Sequence, residues 1–399
     1  MERVNRTIRA WRIAIERDPE RIRSGLNRAF PLLLGGALAF TIGFGWPDAP
    51  ATSRASSSDA TTGPEASAEP IRPIPRQMDL DPQKVALGDR LFHDPQLSRN
   101  GEISCASCHD LQMGGTDRLP RSLGIDGQEG TINSPTVFNA DFNFRQFWDG
   151  RAADLEEQID GPMNNPLEMG FNWEDLMARL NADQKYMEQF LLVYGEDPTP
   201  ARVRDAIAEF ERSLFTPNAR FDRYLRGDAN ALTPDEKSGY SLFKQYGCIA
   251  CHQGTNVGGN MYQKFGVLGD YFADRDAQKT SQSRHRSSSQ QGGDDAHRAA
   301  VAKADLGRFN VTGREEDRHK FKVPSLRNVE LTPPYFHDGS AKTLQEAVRI
   351  MGRYQLGVTL PPRDVDQIVL FLKTLTGEYR GRSLQIEDAR SGSTQNDAN

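Results

Sequence analysis

All four cysteines of the chain lie in two short motifs that each end in histidine. The motifs are Cys105-Ala-Ser-Cys108-His109 and Cys248-Ile-Ala-Cys251-His252. In a Cys-x-x-Cys-His motif the two thiols can add to the vinyl groups of a haem, and the adjacent imidazole then binds the iron. A redox dithiol or half of a zinc site would need only one such cysteine pair. Two complete motifs with no cysteine left over predict two covalently attached haem c groups.

Each haem iron also has a sixth coordination position, which decides what the haem can do. A methionine thioether there raises the reduction potential and suits electron transfer, whereas an open position suits reaction with peroxide. The chain contains nine methionines, and most of them should fill hydrophobic cores. Composition alone therefore leaves the sixth ligands undetermined.

The elements that must position these motifs are mostly helices. Helix-capping residues precede stretches of apolar residues at helical spacing. The predicted N-caps are Asp81, Asn172, Thr199, Thr233 and Thr343. The last two are followed three residues later by Glu, which predicts a capping box in each case. Alternating strand patterns are few, and long connections rich in Gly and Pro are typical of loops that wrap a cofactor. The predicted fold class is therefore mainly α.

A faint repeat links the two motifs. Gly88-x-x-Leu-Phe precedes the first motif and Gly239-x-x-Leu-Phe precedes the second. The repeat predicts two related cytochrome c-like domains, each with one haem c.

The N-terminal region has the composition of a targeting segment. Residues 1–30 contain eight Arg and four acidic residues, and an apolar run follows over residues 31–46. A basic stretch before an apolar run of this length is typical of an export signal, and the run is short for a membrane span. Ala49-Pro50-Ala51 is similar to a cleavage site. We predict that residues 1–51 form an export signal or a retained N-terminal membrane anchor.

Three other segments have too few large apolar residues to bury a core. They predict a disordered linker at 52–76, a disordered insertion at about 275–303 and a flexible tail at 381–399. A hydrophobic content of 37% excludes a polytopic membrane protein. The net charge of −6 gives no reason to expect nucleic acid as a partner.

The folded body resembles the bacterial di-haem cytochrome c peroxidase family, which includes the related MauG-type enzymes. The matching stretches are Ala86-Leu-Gly-Asp-Arg-Leu-Phe92, Asn133-Ser-Pro-Thr-Val-Phe-Asn-Ala140, Gln146-Phe-Trp-Asp-Gly-Arg-Ala152, Val323-Pro-Ser-Leu-Arg-Asn328 and Pro334-Tyr-Phe-His337. The resemblance implies an N-terminal peroxidatic haem domain at 77–230. It also implies a C-terminal electron-transfer haem domain at 231–380.

For the C-terminal haem the resemblance implies His252 and Met351 as the two iron ligands. MauG-type enzymes have Tyr at the second position, so Met351 favours the peroxidase branch. Trp148 would be an electron bridge between the haems, although a core tryptophan is the simpler alternative.

Three further positions match those that hold a calcium ion in this family. They are Asn133, Thr332 and Pro334. Calcium prefers oxygen ligands, and carbonyl oxygens suit it.

For the N-terminal haem the resemblance implies Gln158 and Glu168 as the distal catalytic pair, with Phe147 lining the pocket. A carboxylate can accept a proton from peroxide and return one to the leaving oxygen. An amide can hold the peroxide. One position departs from the family. Most members have a histidine that blocks the peroxidatic iron in the loop after Ser122-Leu123-Gly124, whereas this chain has Ile125, which cannot bind iron.

The predicted function is therefore that of a periplasmic di-haem peroxidase. Hydrogen peroxide would be the substrate, and a small cytochrome c or cupredoxin would donate the electrons. The resemblance also implies a calcium ion and a homodimer. Two alternatives stay open, namely a MauG-like oxidase that modifies a partner protein and a non-enzymatic di-haem electron carrier.

Overall fold

The computed structural model describes residues 69–283 and 294–384, and these residues form a mainly helical fold. The helices are α1 (Pro82–His93), α2 (Cys105–Cys108), α3 (Leu155–Asn164), α4 (Trp173–Ala182), α5 (Gln184–Tyr194), α6 (Pro200–Arg212), α7 (Arg220–Leu225), α8 (Pro234–Gln245), α9 (Tyr271–Ser283), α10 (Asp294–Ala304), α11 (Phe309–Thr312), α12 (Leu344–Ile350) and α13 (Pro362–Lys373). A π-helical turn, Met351–Gln355, continues α12 directly. The prediction of a mainly α fold is confirmed.

Strand structure is limited to two short antiparallel pairs within the described ranges. Strand β1 (Tyr262–Lys264) pairs with β2 (Lys320–Lys322), so that Tyr262 lies opposite Lys322. Strand β3 (Glu378–Tyr379) pairs with β4 (Arg382–Ser383). The first pair is close to the second cysteine motif in space and becomes important for the site.

The predicted caps begin the helices as expected, with one difference. Asp81, Asn172, Thr199, Thr233 and Thr343 each accept a hydrogen bond from a backbone amide in the first turn. The capping box of Thr233 and Glu236 is complete. At α12 the carboxylate of Glu346 accepts a bond from Lys342 N at 2.8 Å, one residue before the cap. Only the Thr343 half of that predicted box therefore forms.

The two glycines of the faint repeat occupy equivalent positions in two helix pairs. Helix α1 packs on α6, and Gly88 lies so close to Ala206 that a Cβ would overlap its carbonyl. Helix α8 packs on α13, and a Cβ on Gly239 would overlap the carbonyl of Gln367. Only glycine permits such a close approach of two helix backbones. Each pair belongs to a different hydrophobic cluster among the described residues.

Two of the segments predicted to be disordered are partly ordered. Within the predicted linker, Ile71 and Ile74 are 2% and 0% exposed, and Ile71 pairs with Gly254. These two buried isoleucines anchor the end of the segment, although its average composition is polar and predicts disorder. Within the predicted insertion, residues up to 283 and from 294 onward are helical. Buried Arg275 of α9 binds Asp305 and Asp338 at 2.5 and 2.8 Å, which joins α9 to the body.

The other segment predictions lie wholly or partly outside the described residues. Residues 1–68, 284–293 and 385–399 lie outside the described part of the chain, and so does the predicted export signal or anchor at 1–51. In the predicted tail, β4 is ordered against β3. Across 69–283 and 294–384, helices of sufficient length and apolarity to cross a membrane are absent.

Candidate haem-binding sites

The first motif forms a single helical turn that presents His109 at its end. Helix α2 starts after Ser104, and its last residue is Cys108. The ring of His109 contacts Gly115 O through Nδ1 at 3.3 Å. Burial lowers the pKa of His109, so its imidazole is neutral at pH 7. A neutral imidazole held through Nδ1 has Nε2 available to bind a metal.

The second motif repeats this arrangement. Cys248–Ala250 form a 3₁₀ turn that leads to His252. The Nδ1 atom of His252 contacts Val257 O at 3.3 Å, the same distance as in the first motif. Burial lowers the pKa of His252 to about 4. In both motifs a backbone carbonyl a few residues downstream therefore orients the histidine ring through Nδ1.

Three of the four motif thiols lie in surroundings that favour the protonated form. All four cysteines are free. Burial raises the pKa of Cys105 to about 12, and those of Cys108 and Cys248 to about 11. Redox dithiols and zinc sites use thiolates, whose pKa values are lowered by their surroundings. These surroundings therefore favour the haem interpretation of the motifs.

A large cavity adjoins the second motif. Its walls are mostly apolar, and they include Cys248, Cys251 and His252. Met351 also lines this cavity, at the point where α12 changes into the π-helical turn. Apolar walls with a few polar groups suit a flat macrocycle with charged substituents, so the residues present fit a haem. The sequence pattern placed His252 and Met351 far apart along the chain, and the fold brings them to one cavity.

Trp148 lies in the wall of the same cavity, and its polar groups are all engaged. Its indole Nε1 donates to Asn133 O at 2.9 Å. Its carbonyl accepts from Lys322 N at 2.7 Å. The ring lies edge-on to His337, with centroids 6.3 Å apart. These contacts fix the ring at the cavity wall, beside the hydrophobic cluster of Tyr271, Phe272 and Phe321.

The three residues assigned to calcium by resemblance line the same cavity. They are Asn133, Thr332 and Pro334. Asn133 is held by two hydrogen bonds, from its backbone N to His337 O at 2.7 Å and from Nδ2 to Leu119 O at 2.8 Å. Its Nδ2 is thus engaged, and its side-chain oxygen is the group that could serve as a cation ligand.

Of the residues predicted for the peroxidatic site, Glu168 lies near the first motif, whereas Phe147 lines the cavity of the second. Asn165 Nδ2 donates to Glu168 Oε1 at 2.7 Å. Burial raises the pKa of Glu168, while the charge of Arg151 opposes that rise. The carboxylate of Glu168 in turn contributes to raising the pKa of Cys108, because the two groups are close. Glu168 is therefore a half-buried acid beside the first motif, with a raised pKa.

Phe147 and Gln158 lie on either side of Gly161. A Cβ on Gly161 would overlap the Phe147 ring, so the ring lies directly on α3. Gln158 is one turn earlier on the same helix face, and it is half-buried. The guanidinium of Arg151 stacks over the other face of Phe147, with 3.4 Å between its Cζ and the ring centroid. Arg151 was not predicted, and only its place in the Gln146–Ala152 stretch pointed to it.

The loop with Ile125 packs directly over Glu168. Ile125 N donates to Glu168 O at 2.8 Å, and Ile125 itself is 1% exposed. The next residue, Asp126, points to solvent and forms an ion pair with Arg99 at 2.7 Å. An apolar side chain is therefore buried here, and the neighbouring carboxylate is bound elsewhere.

Two buried ionisable residues near the motifs were not predicted. Lys322 lines the cavity of the second motif, and Glu211 of α6 lies near Cys105. Burial raises the pKa of Glu211 to about 8. Glu211 directly follows Phe210 in a predicted helix, and nothing in the sequence indicated that its side chain is buried. Lys322 sits between a buried Phe and a Val, which was the one indication of its burial.

The fold and the two sites define a mainly helical protein with two histidine-bearing cysteine motifs in similar settings. Residues 82–230 match the family model for di-haem cytochrome c peroxidase. The chain is 46% identical to cytochrome c551 peroxidase of Nitrosomonas europaea, over 82% of this chain and 90% of that protein. It is also 46% identical to cytochrome c peroxidase Ccp of Escherichia coli, over 80% of this chain and 63% of that protein. The chain therefore belongs to the di-haem cytochrome c peroxidase family.

MauG relatives are more distant. Identity to the methylamine utilization protein MauG of Methylorubrum extorquens is 33%, over 87% of this chain and 93% of that protein. A solved structure of a MauG-like protein associated with microbial copper homeostasis has a TM-score of 0.61 at 27% identity. That match covers 77% of this chain and 93% of the other. The family places this chain among the haem-dependent peroxidases, and its cofactors are haem c groups.

Proposed function

We propose that the protein reduces hydrogen peroxide to two molecules of water with two electrons from a small redox protein. Electrons would enter at the C-terminal haem, held by Cys248, Cys251 and His252, and pass to the N-terminal haem, held by Cys105, Cys108 and His109. The difference between the two sites carries the proposal. A thioether shares the cavity of the second motif, whereas a half-buried carboxyl with a raised pKa and a buried isoleucine of the adjoining loop lie beside the first.

The haem groups would supply electron storage and the redox chemistry of the O–O bond. The protein relays a proton between the two peroxide oxygens, and the two protons that complete the water molecules come from solvent. Glu168 has a raised pKa, so it can accept a proton from the first peroxide oxygen and return it to the leaving oxygen near neutral pH. The hydrogen bond from Asn165 orients the carboxyl group. Gln158, on the α3 face that Phe147 covers, would hold the peroxide through its amide.

Electron transfer between the sites would use Trp148. Its indole is fixed by the bond to Asn133 O and lies in the wall of the cavity that holds Met351. A rigid aromatic ring at that position requires no rearrangement during transfer. We further propose that Asn133, Thr332 and Pro334 hold a calcium ion next to Trp148. The oxygen ligands of that ion would keep this wall of the cavity in place.

The remaining proposals concern architecture and location. The two helix pairs and their two hydrophobic clusters support two cytochrome c-like domains, at about 77–230 and 231–380. Export to the periplasm by residues 1–51, with or without retention of the anchor, and a homodimer complete the proposal.

A MauG-like oxidation of a partner protein is the second candidate, because MauG relatives share the family. Met351, where the MauG type has Tyr, favours peroxide reduction. The deciding experiment mixes holoprotein with peroxide and a reduced small cytochrome c or cupredoxin. We expect two donor equivalents to be oxidised per peroxide consumed. If neither donor is oxidised in the presence of peroxide, the proposal is contradicted. A six-coordinate first haem with no peroxide turnover would instead indicate an electron carrier.

A further inference from the structure

Lys322 places a cationic side chain inside the protein, at the cavity of the second motif. It is the last residue of β2, opposite Tyr262 of β1, and its backbone N donates to Trp148 O at 2.7 Å. The side chain lines the cavity that also holds His252 and Met351, and the residue is only 8% exposed. The bond to Trp148 O therefore holds the backbone of Lys322 beside the cavity that its side chain lines.

No anion compensates this charge in the described part of the chain. Hydrogen bonds and ion pairs of the Lys322 ammonium are absent among the described residues. Burial alone lowers the pKa of Lys322, to about 8, with no carboxylate acting against the shift.

A second buried cation is paired with a carboxylate, as buried charges usually are. Arg327, five residues later, is 1% exposed, and its guanidinium binds Asp222 at 2.7 Å. An unpaired buried cation is costly, because it loses its hydration without gaining a partner. Lys264 lines the same cavity but is exposed, so water solvates its charge. Among these cations Lys322 is the one whose burial calls for an anion from outside the chain.

We propose that the Lys322 ammonium binds a propionate carboxylate of the C-terminal haem and thereby helps to hold that haem at high potential. Haem brings two carboxylates into an otherwise apolar cavity, and Lys322 is the buried cation available there. A positive charge near the iron favours the reduced state, which carries one more electron. Lys322 would thus act in the same direction as the thioether of Met351. This inference rests on the C-terminal haem proposed above.

The test is a redox titration of holoprotein, followed by the absorption of each haem. Lys322→Met should shift the ferric-to-ferrous equilibrium of the C-terminal haem at least tenfold toward ferric, which is a fall of 59 mV for one electron. Lys322→Arg keeps the charge and should stay near wild type. Lys264→Met is the matched control, because it removes a solvated charge from the same cavity, and it should change little. The N-terminal haem should keep its potential in all three variants.

An unchanged C-terminal potential in Lys322→Met would overturn the inference, and so would an equal fall in Lys322→Arg. Lys322→Gln provides a second neutral variant. If both neutral variants lose the C-terminal haem while Lys322→Arg keeps it, the charge is needed for binding and the inference stands. If all three lose it, the role of the charge is refuted. A haem assay that finds one haem in the wild type would instead refute the proposed function, independently of Lys322.

Discussion

The regions around the two cysteine motifs share a framework, which consists of a closely packed helix pair and an oriented histidine. The other residues that surround each motif differ. In both, a glycine allows two helices to pack closely, and a carbonyl 3.3 Å from Nδ1 orients the histidine. The surroundings then diverge. Met351 and Lys322 share the cavity of the second motif, whereas Glu168 and Ile125 pack together beside the first. The comparison teaches that the shared framework specifies where a haem is held, and the residues around it specify what the haem does.

The largest expected effect tests the catalytic half. Glu168→Gln should lower peroxide turnover by roughly 10²–10⁴-fold, the range typical for loss of a general acid or base. Both haem spectra should stay nearly unchanged, because Asn165 can still bond to the new amide oxygen. Steady-state peroxide reduction measures the effect. Glu174→Gln, on the exposed face of α4, is the matched control and should retain wild-type turnover. Wild-type turnover in Glu168→Gln would remove this residue from the mechanism.

The next effect tests the electron-transfer half. Met351→His should lower the potential of the C-terminal haem markedly and slow donor oxidation, because thioether ligation raises the potential. Redox titration and stopped-flow oxidation of the donor measure the two effects. Met187→His, on α5 and away from the cavity, should leave both haem potentials where they are. Should Met351→His do the same, Met351 is not an iron ligand.

A third prediction concerns what the two halves share. Gly88→Ala and Gly239→Ala should each destabilise the protein by about 1–3 kcal/mol, because the added methyl overlaps a backbone carbonyl of the facing helix. Urea unfolding of the holoprotein measures both. Gly130→Ala should be near neutral, since its nearest contact would be an ordinary 3.4 Å to Ser122 O. A large effect at only one of the two helix pairs would show that the framework is not equivalent.

The smallest expected effect concerns the departure at Ile125. Oxidised wild-type enzyme should react with peroxide without a lag, because the loop carries no histidine to release. Ile125→His should introduce a lag that prior reduction of the C-terminal haem abolishes. Stopped-flow mixing with peroxide, with and without pre-reduction, measures the lag. A lag in the wild type that pre-reduction removes would contradict the prediction and would indicate that the loop itself closes the site.

Much of the framework was readable from local patterns. Caps and first-turn prolines act within one helical turn, so Asp81 and Thr199 could be assigned without tertiary information. The predicted capping box at Thr343 forms only in half, because the Glu346 carboxylate accepts a hydrogen bond from the backbone amide of Lys342 instead of that of Thr343. The ordered helices inside the predicted insertion depend on a salt bridge between Arg275 and distant Asp305, which composition cannot indicate.

The sequence by itself determined the haem chemistry, because a Cys-x-x-Cys-His motif brings all of its reactive groups together within five residues. It also determined the absence of a histidine at Ile125, since the residue type alone excludes iron binding. The fold alone decided which distant residues share a site, such as His252 with Met351 and Trp148 with Lys322. It also decided that Lys322 is buried without a partner. In the sequence Lys320 and Lys322 look alike, but in the fold Lys320 is half-buried and forms an ion pair with Asp317, whereas Lys322 is buried and lines the cavity.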